Sequence, residues 1–452
     1  MTSSNPYCGR TDNDTNEPGD SRCEALMHSD GSLRQIIDSC FLRPTSRVFI
    51  TSIMWLLARW DFALAAICFA IAGGYFLFLV LVTHHIFWEI NFYAAVVKAM
   101  AAGMSPYNND YIYNYHDLGY STGFIYPPLV AEAFYKLRWL FQTSTGWVFI
   151  ITAHVISWIS IPYMLANSPK DWYSRNFLYV WGLYLVLFGL GGMRLLVVGN
   201  IAAILFALLI LSIVVAIRTR NYEPFWVTIF LCSLVKFTFL GFLLVPIILD
   251  KKYLSAGLLI GAVIAAYALN YFITPALFTE YLAQISAQHS NSGYIGLSIF
   301  SLATALIKVP FAPNDGQLFA IAIGIHFIFV ALVILLAYAI AERRVRPERF
   351  DLFCCWLVMS SFLISPRIFD YDLAIVIVPF VLLTRMLLTE RGLGIGVAVT
   401  VAVLGSILLR TPSSFQTQLS DWSATFVIVG VWFGAAVHWL TADGKRELPR
   451  TC

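Results

Sequence analysis

Charged side chains are scarce in this sequence. Asp, Glu, Lys and Arg together make up 12% of its 452 residues, which is about half the share found in an average soluble protein. Apolar and aromatic residues take their place, at 59% of the chain. The few Lys and Arg residues are spread over separate short clusters, so no nucleic-acid surface is expected. This composition predicts a polytopic membrane protein whose first partner is the lipid bilayer.

Several motifs of common enzyme classes are also missing. The chain has no CxxC pair, no HExxH helix, no Gly-Lys-Ser/Thr phosphate loop and no internal repeat, so metalloprotease and ATPase functions lose support. The first 30 residues have no apolar core, and no cleavable signal peptide is expected. The eight cysteines lie in predicted cytoplasmic tails or within apolar runs, which predicts no disulfide.

Long apolar runs fill the chain from Phe62 onward. Each run has about 18 to 24 residues, enough to cross a hydrocarbon core about 30 Å thick. Arginines 34, 43, 47 and 59 precede the first run, so the positive-inside rule places the N-terminus in the cytoplasm. If the later Lys/Arg clusters also lie in the cytoplasm, the apolar runs must alternate in direction. This predicts an all-α bundle with ten spans. The predicted spans are 62–82, 146–166, 177–194, 197–217, 253–272, 317–340, 350–365, 371–388, 392–409 and 422–440.

Two apolar segments do not fit this alternation as simple spans. Residues 126–141 carry three charged residues at helical spacing, which favours an amphipathic helix on the outer surface. The run from Pro224 to Leu249 has cytoplasmic charge at both ends and Lys236 in its middle, which predicts two short helices folded as a hairpin. Lys236 either stabilises that hairpin or has a function, as intramembrane lysines often do.

The resulting domain map has three parts. Residues 1–61 form a cytoplasmic N-terminal tail that is partly disordered, 62–440 form the transmembrane domain, and 441–452 form a cytoplasmic C-terminal tail. Long outer loops are expected at 83–145 and 273–316. We therefore expect a plasma-membrane protein with cytoplasmic termini and any active site on the extracytoplasmic face.

The first outer loop opens with an acid among apolar residues. Glu89 stands in "HHIFWEINFYAA", with Tyr93 four residues later on the same face of a predicted helix that ends near Gly103 and Pro106. A carboxylate held near the headgroups would be partly desolvated, and its raised pKa would suit a general base. The alternative is a solvated acid beside the membrane.

The same loop continues with many Tyr and Asn residues, including Tyr107 and Tyr126. Aromatic faces stack on sugar rings, and amide groups pair with sugar hydroxyls. The alternative is an aromatic belt at the headgroup level, which has the same composition.

The order of motifs along the chain resembles glycosyltransferase family 87. These motifs are E-x-x-x-Y, "AAVVKAMAAGMSPY", "FIYPPL", "VVGN" before a span, a Lys inside "LVKFTFLGFLLVP", and "SPRIFDYDL". The resemblance runs from about Phe62 to Leu388 and includes enzymes similar to polyprenyl-phosphate-mannose-dependent mannosyltransferases. It implies a GT-C fold, an exoplasmic active site, a polyprenyl-phosphate donor of a mannose-like sugar, and a lipid-linked or cell-envelope glycan acceptor.

The resemblance also implies roles for particular residues. It puts Glu89 at the position of the catalytic base, although the family usually has Asp there. It aligns Asn200 with a family Asn that usually follows Gly-Gln, whereas this chain has Val198-Gly199. Near "SPRIFDYDL" the family often has a His, and Tyr371 and Asp372 fill that place here.

Transfer from a sugar phosphate also needs groups that stabilise the departing phosphate. The outward-facing candidates are Arg194, Arg367 and His289. The two arginines could instead contact headgroups or pair with Asp370 and Asp372, and His289 could be structural. Asp370 and Asp372 could bind a divalent cation or cap the next helix; no other cofactor is indicated. The candidate substrate-binding residues are Tyr93, Tyr107, Tyr126, Asn200, Arg194, His289, Arg367, Asp370 and Asp372.

Two other classes of function share part of this pattern. A secondary transporter or flippase of a lipid-linked or small polar substrate would also have many spans and a few buried polar residues, but it predicts an internal repeat and charges near the midplane. A non-catalytic membrane scaffold would tolerate the loss of Glu89. The position of most carboxylates in outer loops favours the enzyme.

Overall fold

The computed structural model describes most of the membrane-embedded part of the chain. The described residues are 66–67, 70–78, 81, 86–110, 112, 123–166, 181–182, 184–187, 195–290, 298–303, 315–343, 349–368, 370–391 and 416–442. The chain divides into two units, 1–62 and 63–452, and the described residues all belong to the second. Within these ranges the secondary structure is helical and contains no β-strand.

The main helices follow in chain order. They are α1 (Trp88–Ala101), α2 (Pro128–Lys136), α3 (Trp139–Gln142), α4 (Ser144–Ala166), α5 (Ala202–Thr219), α6 (Glu223–Val235), α7 (Leu244–Asp250), α8 (Tyr253–Ile273), α9 (Pro275–Ser290), α10 (Asp315–Glu342), α11 (Phe350–Leu363), α12 (Ala374–Arg391) and α13 (Gln416–Ala442). Two 3₁₀ helices, Phe237–Leu243 and Asp370–Leu373, precede α7 and α12.

Five of the described helices are long and apolar enough to cross a membrane. They are α4, α5 and α8 over their full length, and the stretches Ala320–Glu342 of α10 and Ala424–Thr441 of α13. Large apolar side chains remain exposed on them, such as Leu254 at 79% and Ile328 at 72%. Such surfaces suit contact with lipid rather than water. The predicted class, an all-α polytopic membrane protein, is confirmed.

Other predicted spans are shorter than expected or are not described in full. Helix α11 has 14 residues, and α12 has 18 with Pro379 inside it. The span predicted at 197–217 begins only at Ala202, because Gly199 has a left-handed backbone, φ 71°, that interrupts the helix. The runs at 62–82 and 177–194 are described in part, and 392–409 lies outside the described residues.

The predicted hairpin is confirmed between α6 and α7. Helix α6 ends at Val235, and Lys236 has an extended backbone, φ −140° and ψ 106°, at which the chain turns into the 3₁₀ helix. At the other end of the hairpin, the indole Nε1 of Trp226 donates a hydrogen bond to Asp250 Oδ2 at 3.1 Å. The two arms therefore lie side by side, and Lys236 is at the tip.

The segment 126–141 forms no helix of membrane length, which agrees with the predicted amphipathic surface helix. It forms α2, with nine residues, and α3, with four; nine residues of α-helix span only about 14 Å. Helix α2 buries Val130 and Phe134, while Glu132 and Lys136 form an exposed pair at 3.8 Å. This amphipathic pattern agrees with a helix at an interface, and the side of the membrane on which it lies stays a prediction.

Two apolar clusters hold the described helices together. The larger joins α5, α6, α7, α11, α12 and α13, and in it Trp356 stacks on Trp432 with ring centroids 5.5 Å apart. The second is aromatic and joins α1, α2 and α3, with Tyr93, Tyr126 and Phe134 in mutual contact. This second cluster fixes α1, and hence Glu89, against α2.

Candidate functional site

Glu89 lies in the first turn of α1 and is buried, with 8% of its surface exposed. The helix is preceded by Phe87, a non-glycine residue with a left-handed backbone at φ 58°. The amide of Phe87 donates a hydrogen bond of 2.7 Å to the carbonyl oxygen of Val197. The start of α1 is therefore tied to the segment that leads into α5, and Glu89 faces that segment.

Gly199 allows the two segments to come this close. A Cβ atom at Gly199 would lie 3.0 Å from Phe87 Cα and 3.1 Å from Ile90 Cγ1, closer than side chains normally pack. Its positive φ also favours glycine. The next residue, Asn200, accepts a 2.7 Å hydrogen bond from the amide of Ala202 through Oδ1. This bond orients the side-chain amide so that Nδ2 points at Glu89.

One oxygen of Glu89 is held by two donors. Oε2 accepts hydrogen bonds from the hydroxyl of Tyr93 at 2.6 Å and from Asn200 Nδ2 at 2.5 Å. Within the described part of the chain, no side chain or amide donates a hydrogen bond to Oε1. The carboxylate is thus anchored by one oxygen, and the other can accept a proton from a bound molecule.

Tyr126 and Tyr107, which both precede α2 in the chain, support the hydrogen bonds that anchor Glu89. The hydroxyls of Tyr93 and Tyr126 lie 3.1 Å apart, and Tyr107 donates a 2.7 Å hydrogen bond to the main-chain oxygen of Tyr126. All three side chains are more than 90% buried. The hydroxyls of Tyr126 and Tyr93 therefore form a row that ends on Glu89. Tyr107 stabilises this row through its hydrogen bond to the main chain of Tyr126.

A second polar group lies beside this anchor. Lys236, at the tip of the hairpin, binds both carboxylate oxygens of Asp372, at 3.1 and 3.2 Å. Its ammonium also lies 5.8 Å from the ring centre of Tyr371. Arg367 is near Asp372 and Tyr371, since both act on its charge. Two cations and one carboxylate therefore meet where the hairpin reaches the turn before α12.

Residues of both the Glu89 anchor and the adjacent Lys236–Asp372 pair affect the pKa of Glu89. Burial raises the pKa of Glu89 from an ordinary 4.5 to about 7, against the hydrogen bonds from Tyr93 and Asn200 and the positive charge of Lys236, all of which lower the pKa. The negative charge of Asp372 adds a smaller increase. Near neutral pH the carboxyl is then balanced between its two forms, as a general base requires.

The cations of the second group line a small cavity of about 20 Å³. Lys236, Arg367, Asp372, Ser365 and Thr238 share its wall with phenylalanine rings, and the surface of that wall is almost wholly apolar. This volume is close to that of one water molecule. A phosphate group would have to widen the cavity. Burial lowers the pKa of Arg367, and the neighbouring Tyr371 and Asp372 oppose that shift, so the cation has partners for its charge.

The structure brings six of the predicted site residues to one region. Glu89, Tyr93, Tyr126 and Asn200 form the anchor, and Arg367 and Asp372 belong to the adjacent group. Tyr107 contacts this region through its hydrogen bond to Tyr126. His289 is in α9 and Asp370 opens a 3₁₀ helix, but their side chains are not described, and Arg194 lies outside the described residues. Among described residues no group of three His, Cys, Asp or Glu could hold a metal ion.

Three residues near the site were not among the predicted site residues. Lys236 was considered mainly as a support for the hairpin, yet its ion pair places it beside the carboxylate of Asp372. An intramembrane lysine is itself a reason to suspect a site. In the sequence Gly199 stands out only as a departure from the family pattern. A role for Asn270 is not predicted from the sequence, although an amide near the end of an apolar span is an unusual feature.

Comparison with known proteins places the chain in a family. The model of glycosyltransferase family 87 matches residues 124–366, more than half of the chain. This range includes Asn200, Lys236 and Asn270, whereas Glu89 precedes it and Asp372 follows it. No curated protein and no solved structure matches the chain. The match agrees with the motif order and with a buried polar site among apolar helices. The chain therefore belongs to glycosyltransferase family 87 and is a membrane-embedded transferase.

Proposed function

We propose that the protein transfers a mannose-like sugar from a polyprenyl-phosphate donor to a lipid-linked or cell-envelope glycan acceptor, on the extracytoplasmic face of the plasma membrane, with Glu89 as the general base. The observation that carries this proposal is the asymmetric anchoring of the Glu89 carboxylate. Oε2 is held by Tyr93 and Asn200, while Oε1 receives no hydrogen bond from any described residue. A buried acid with a pKa of about 7 is poised to take a proton.

The proposed reaction has one proton transfer and one substitution. Oε1 of Glu89 accepts the proton of an acceptor hydroxyl as its oxygen attacks the anomeric carbon of the donor. The bond between that carbon and the phosphate oxygen breaks, and the polyprenyl phosphate leaves with the electron pair. Arg367 and Lys236 supply positive charge near the leaving phosphate, which stabilises the charge that develops on it.

The setting of the site supports the proposed donor class. A phosphate on a long lipid chain would reach a site among apolar, membrane-length helices by moving within the bilayer. The charge of a phosphate also suits a site where Lys236 is paired with Asp372 and Arg367 lies nearby. Membership in a transferase family favours this function over the transporter alternative.

Replacement of Glu89 tests the proposal. Glu89→Gln keeps the size of the side chain and an oxygen for Tyr93 and Asn200, but it removes the proton acceptor. We expect sugar transfer to fall by about 10² to 10⁴-fold, while yield and thermal stability in detergent hold. Glu89→Asp retains a carboxylate on a shorter arm and should keep more activity than Gln. The measurement is transfer of radiolabelled mannose from polyprenyl-phosphate-mannose to extracted envelope lipids by purified protein in lipid nanodiscs.

Glu132→Gln is the matched control, since Glu132 is a half-exposed carboxylate on α2 that pairs with Lys136, away from Glu89 in sequence and exposure. It should transfer sugar at the wild-type rate. If Glu89→Gln also matches the wild type, Glu89 is not the base. If the wild type uses a nucleotide sugar but no polyprenyl-phosphate sugar, the donor class is wrong.

A further inference from the structure

Asn270 lies in the last turn of the membrane-length helix α8 and is 3% exposed. Both ends of its side-chain amide are bonded. Nδ2 donates to the carbonyl oxygen of Ala266, one turn earlier in α8, at 2.8 Å. Oδ1 accepts a hydrogen bond of 2.8 Å from the main-chain amide of Leu129, which is 141 residues away in sequence. The first bond fixes the rotamer, and the second joins α8 to α2.

The main-chain amide of Leu129 has a special position at the start of α2. Helix α2 begins after Pro127, which has no side-chain hydrogen bond to cap the helix, and its first residue, Pro128, has no N–H. Leu129 therefore carries the first main-chain donor of the helix, and such donors have no partner within the helix itself. Caps usually come from the residue just before the helix. Here Asn270 supplies the cap from another helix.

The position of this cap bears directly on Tyr126. Tyr126 comes immediately before Pro127, and the two prolines leave little backbone freedom between Tyr126 and Leu129. The place where α2 starts therefore decides where the Tyr126 side chain lies. The hydroxyl of Tyr126 is 3.1 Å from that of Tyr93, which in turn holds Glu89 at 2.6 Å.

The same end of α8 also contacts the other half of the site. Tyr267, one turn before Asn270, donates a hydrogen bond of 3.2 Å to the main-chain oxygen of Ser233 in the last turn of α6. Lys236 follows Ser233 by three residues and binds Asp372. The last two turns of α8 therefore contact both the segment that carries Tyr126 and the hairpin that carries Lys236.

We propose that Asn270 is a positioning residue for catalysis. By capping α2 from the neighbouring helix α8, it holds Tyr126 where the Tyr126–Tyr93 hydroxyl pair fixes the Glu89 carboxylate. The proposal rests on the proposed function, because it assigns Asn270 a role through Glu89. Asn270 itself contacts neither the acid nor any reacting atom. Its effect is on the geometry of the base and not on the charge of the site.

The test compares four variants in nanodiscs. Asn270→Leu removes the acceptor while keeping the branching and the number of side-chain heavy atoms, and Asn270→Asp keeps an oxygen for Leu129 whether or not it is protonated. Leu129→Pro removes the N–H from the other side of the bond, at a position in the first turn where proline is tolerated. Thr274→Val is the control, because the Thr274 hydroxyl donates back to the Asn270 main-chain oxygen, at 3.0 Å, within the end of α8.

We expect Asn270→Leu and Leu129→Pro to lower kcat by about 10 to 100-fold, the scale of a misplacement of about 1 Å, with donor KM within about twofold of the wild type. Asn270→Asp should recover most of the rate, and Thr274→Val should match the wild type. Asn270→Leu and Leu129→Pro break the same hydrogen bond. The variant that combines them should therefore be little worse than either one alone. Hydrogen exchange in Asn270→Leu should quicken about 5 to 10-fold in peptides covering α2 and stay unchanged in α11.

Two results would overturn the proposal. The first is a wild-type kcat in Asn270→Leu under conditions in which Glu89→Gln is impaired. The second is unchanged exchange in α2, which would mean that Asn270 does not hold the helix. If Asn270→Leu does not fold, Leu129→Pro decides by the same criteria. Failure of the proposed function gives a different result, namely that Glu89→Gln transfers sugar at the wild-type rate.

Discussion

The two oxygens of the Glu89 carboxylate have different surroundings. Oε2 is fixed by Tyr93 and Asn200, and Oε1 has no hydrogen-bond donor among the described residues. A short helix and a glycine on another segment produce this asymmetry, since Gly199 lets Asn200 approach the first turn of α1. Burial then raises the pKa to about 7. At the residue scale the neighbours of Glu89 set both the direction and the strength of the base that we propose.

The pH dependence of transfer follows from this pKa. Only the ionised carboxylate can accept a proton, so kcat/KM should rise as the pH increases and level off above a midpoint near 7. Tyr93→Phe keeps the ring packing but removes a hydrogen bond that lowers the pKa of Glu89. Its loss should move the midpoint upward, by about one unit for a hydrogen bond to a charged group. Rate profiles between pH 5 and 9 measure both, and a Tyr93→Phe midpoint below that of the wild type would contradict this account.

At the scale of elements, a hairpin that does not cross the membrane as one span carries a cation to the site. The 3₁₀ helix after Lys236 packs on α11, and this contact depends on Gly241. A Cβ atom there would lie 2.8 Å from the main-chain oxygen of Ser361, a group that cannot rotate away. The position of Lys236 beside Asp372 therefore depends on close backbone packing five residues further along the chain.

Gly241→Ala tests this packing. The added methyl group should push the hairpin from α11 at a cost of about 1 to 3 kcal/mol, which lowers the midpoint of thermal unfolding in detergent and reduces sugar transfer. Gly257→Ala in α8 is the matched control, because a Cβ at Gly257 meets no atom within 4 Å. Alanine also suits a helix better than glycine. Equal midpoints for the two variants would show that the hairpin adjusts without strain.

At the scale of the whole molecule, the distribution of charge predicts the orientation in the membrane. Helix length and composition make the chain a multi-pass membrane protein, and the distribution of Lys and Arg predicts which face is the cytoplasm. The tip of the hairpin and the start of α1 meet in one site, whereas the turn that carries Lys251 and Lys252 lies at the opposite end of the hairpin. The positive-inside rule then predicts that the site lies on the extracytoplasmic side.

Cysteine labelling tests the orientation. In a variant without native cysteines, Asp110→Cys should react with a membrane-impermeant maleimide in intact cells, because Asp110 is exposed near the site. Its neighbour Asn109 is less suitable, since its amide donates a hydrogen bond to Gln284. Lys252→Cys, at a half-exposed lysine, should react only after the membrane is opened. The reverse pattern would invert the map and move the site to the cytoplasm.

The sequence alone determined the class of the molecule and much of its layout. Runs of apolar residues predict helices that cross a bilayer because length and hydropathy are local properties. The hairpin around Lys236 and the amphipathic segment 126–141 were predicted for the same reason, since charges within an apolar run show where it cannot cross. Glu89 was found through the order of motifs and its spacing from Tyr93, both of which can be read along the chain.

The tertiary structure alone decided which side chains meet at the site. Asn200 reaches Glu89 across 111 residues, Lys236 reaches Asp372 across 136, and Asn270 reaches Leu129 across 141. No periodicity in the sequence encodes such separations, because they depend on how whole helices pack. The pKa of Glu89 depends on them too, since desolvation arises only when the surrounding helices exclude water. The chemistry of the site is therefore a property of the folded chain, although each residue that provides it is visible in the sequence.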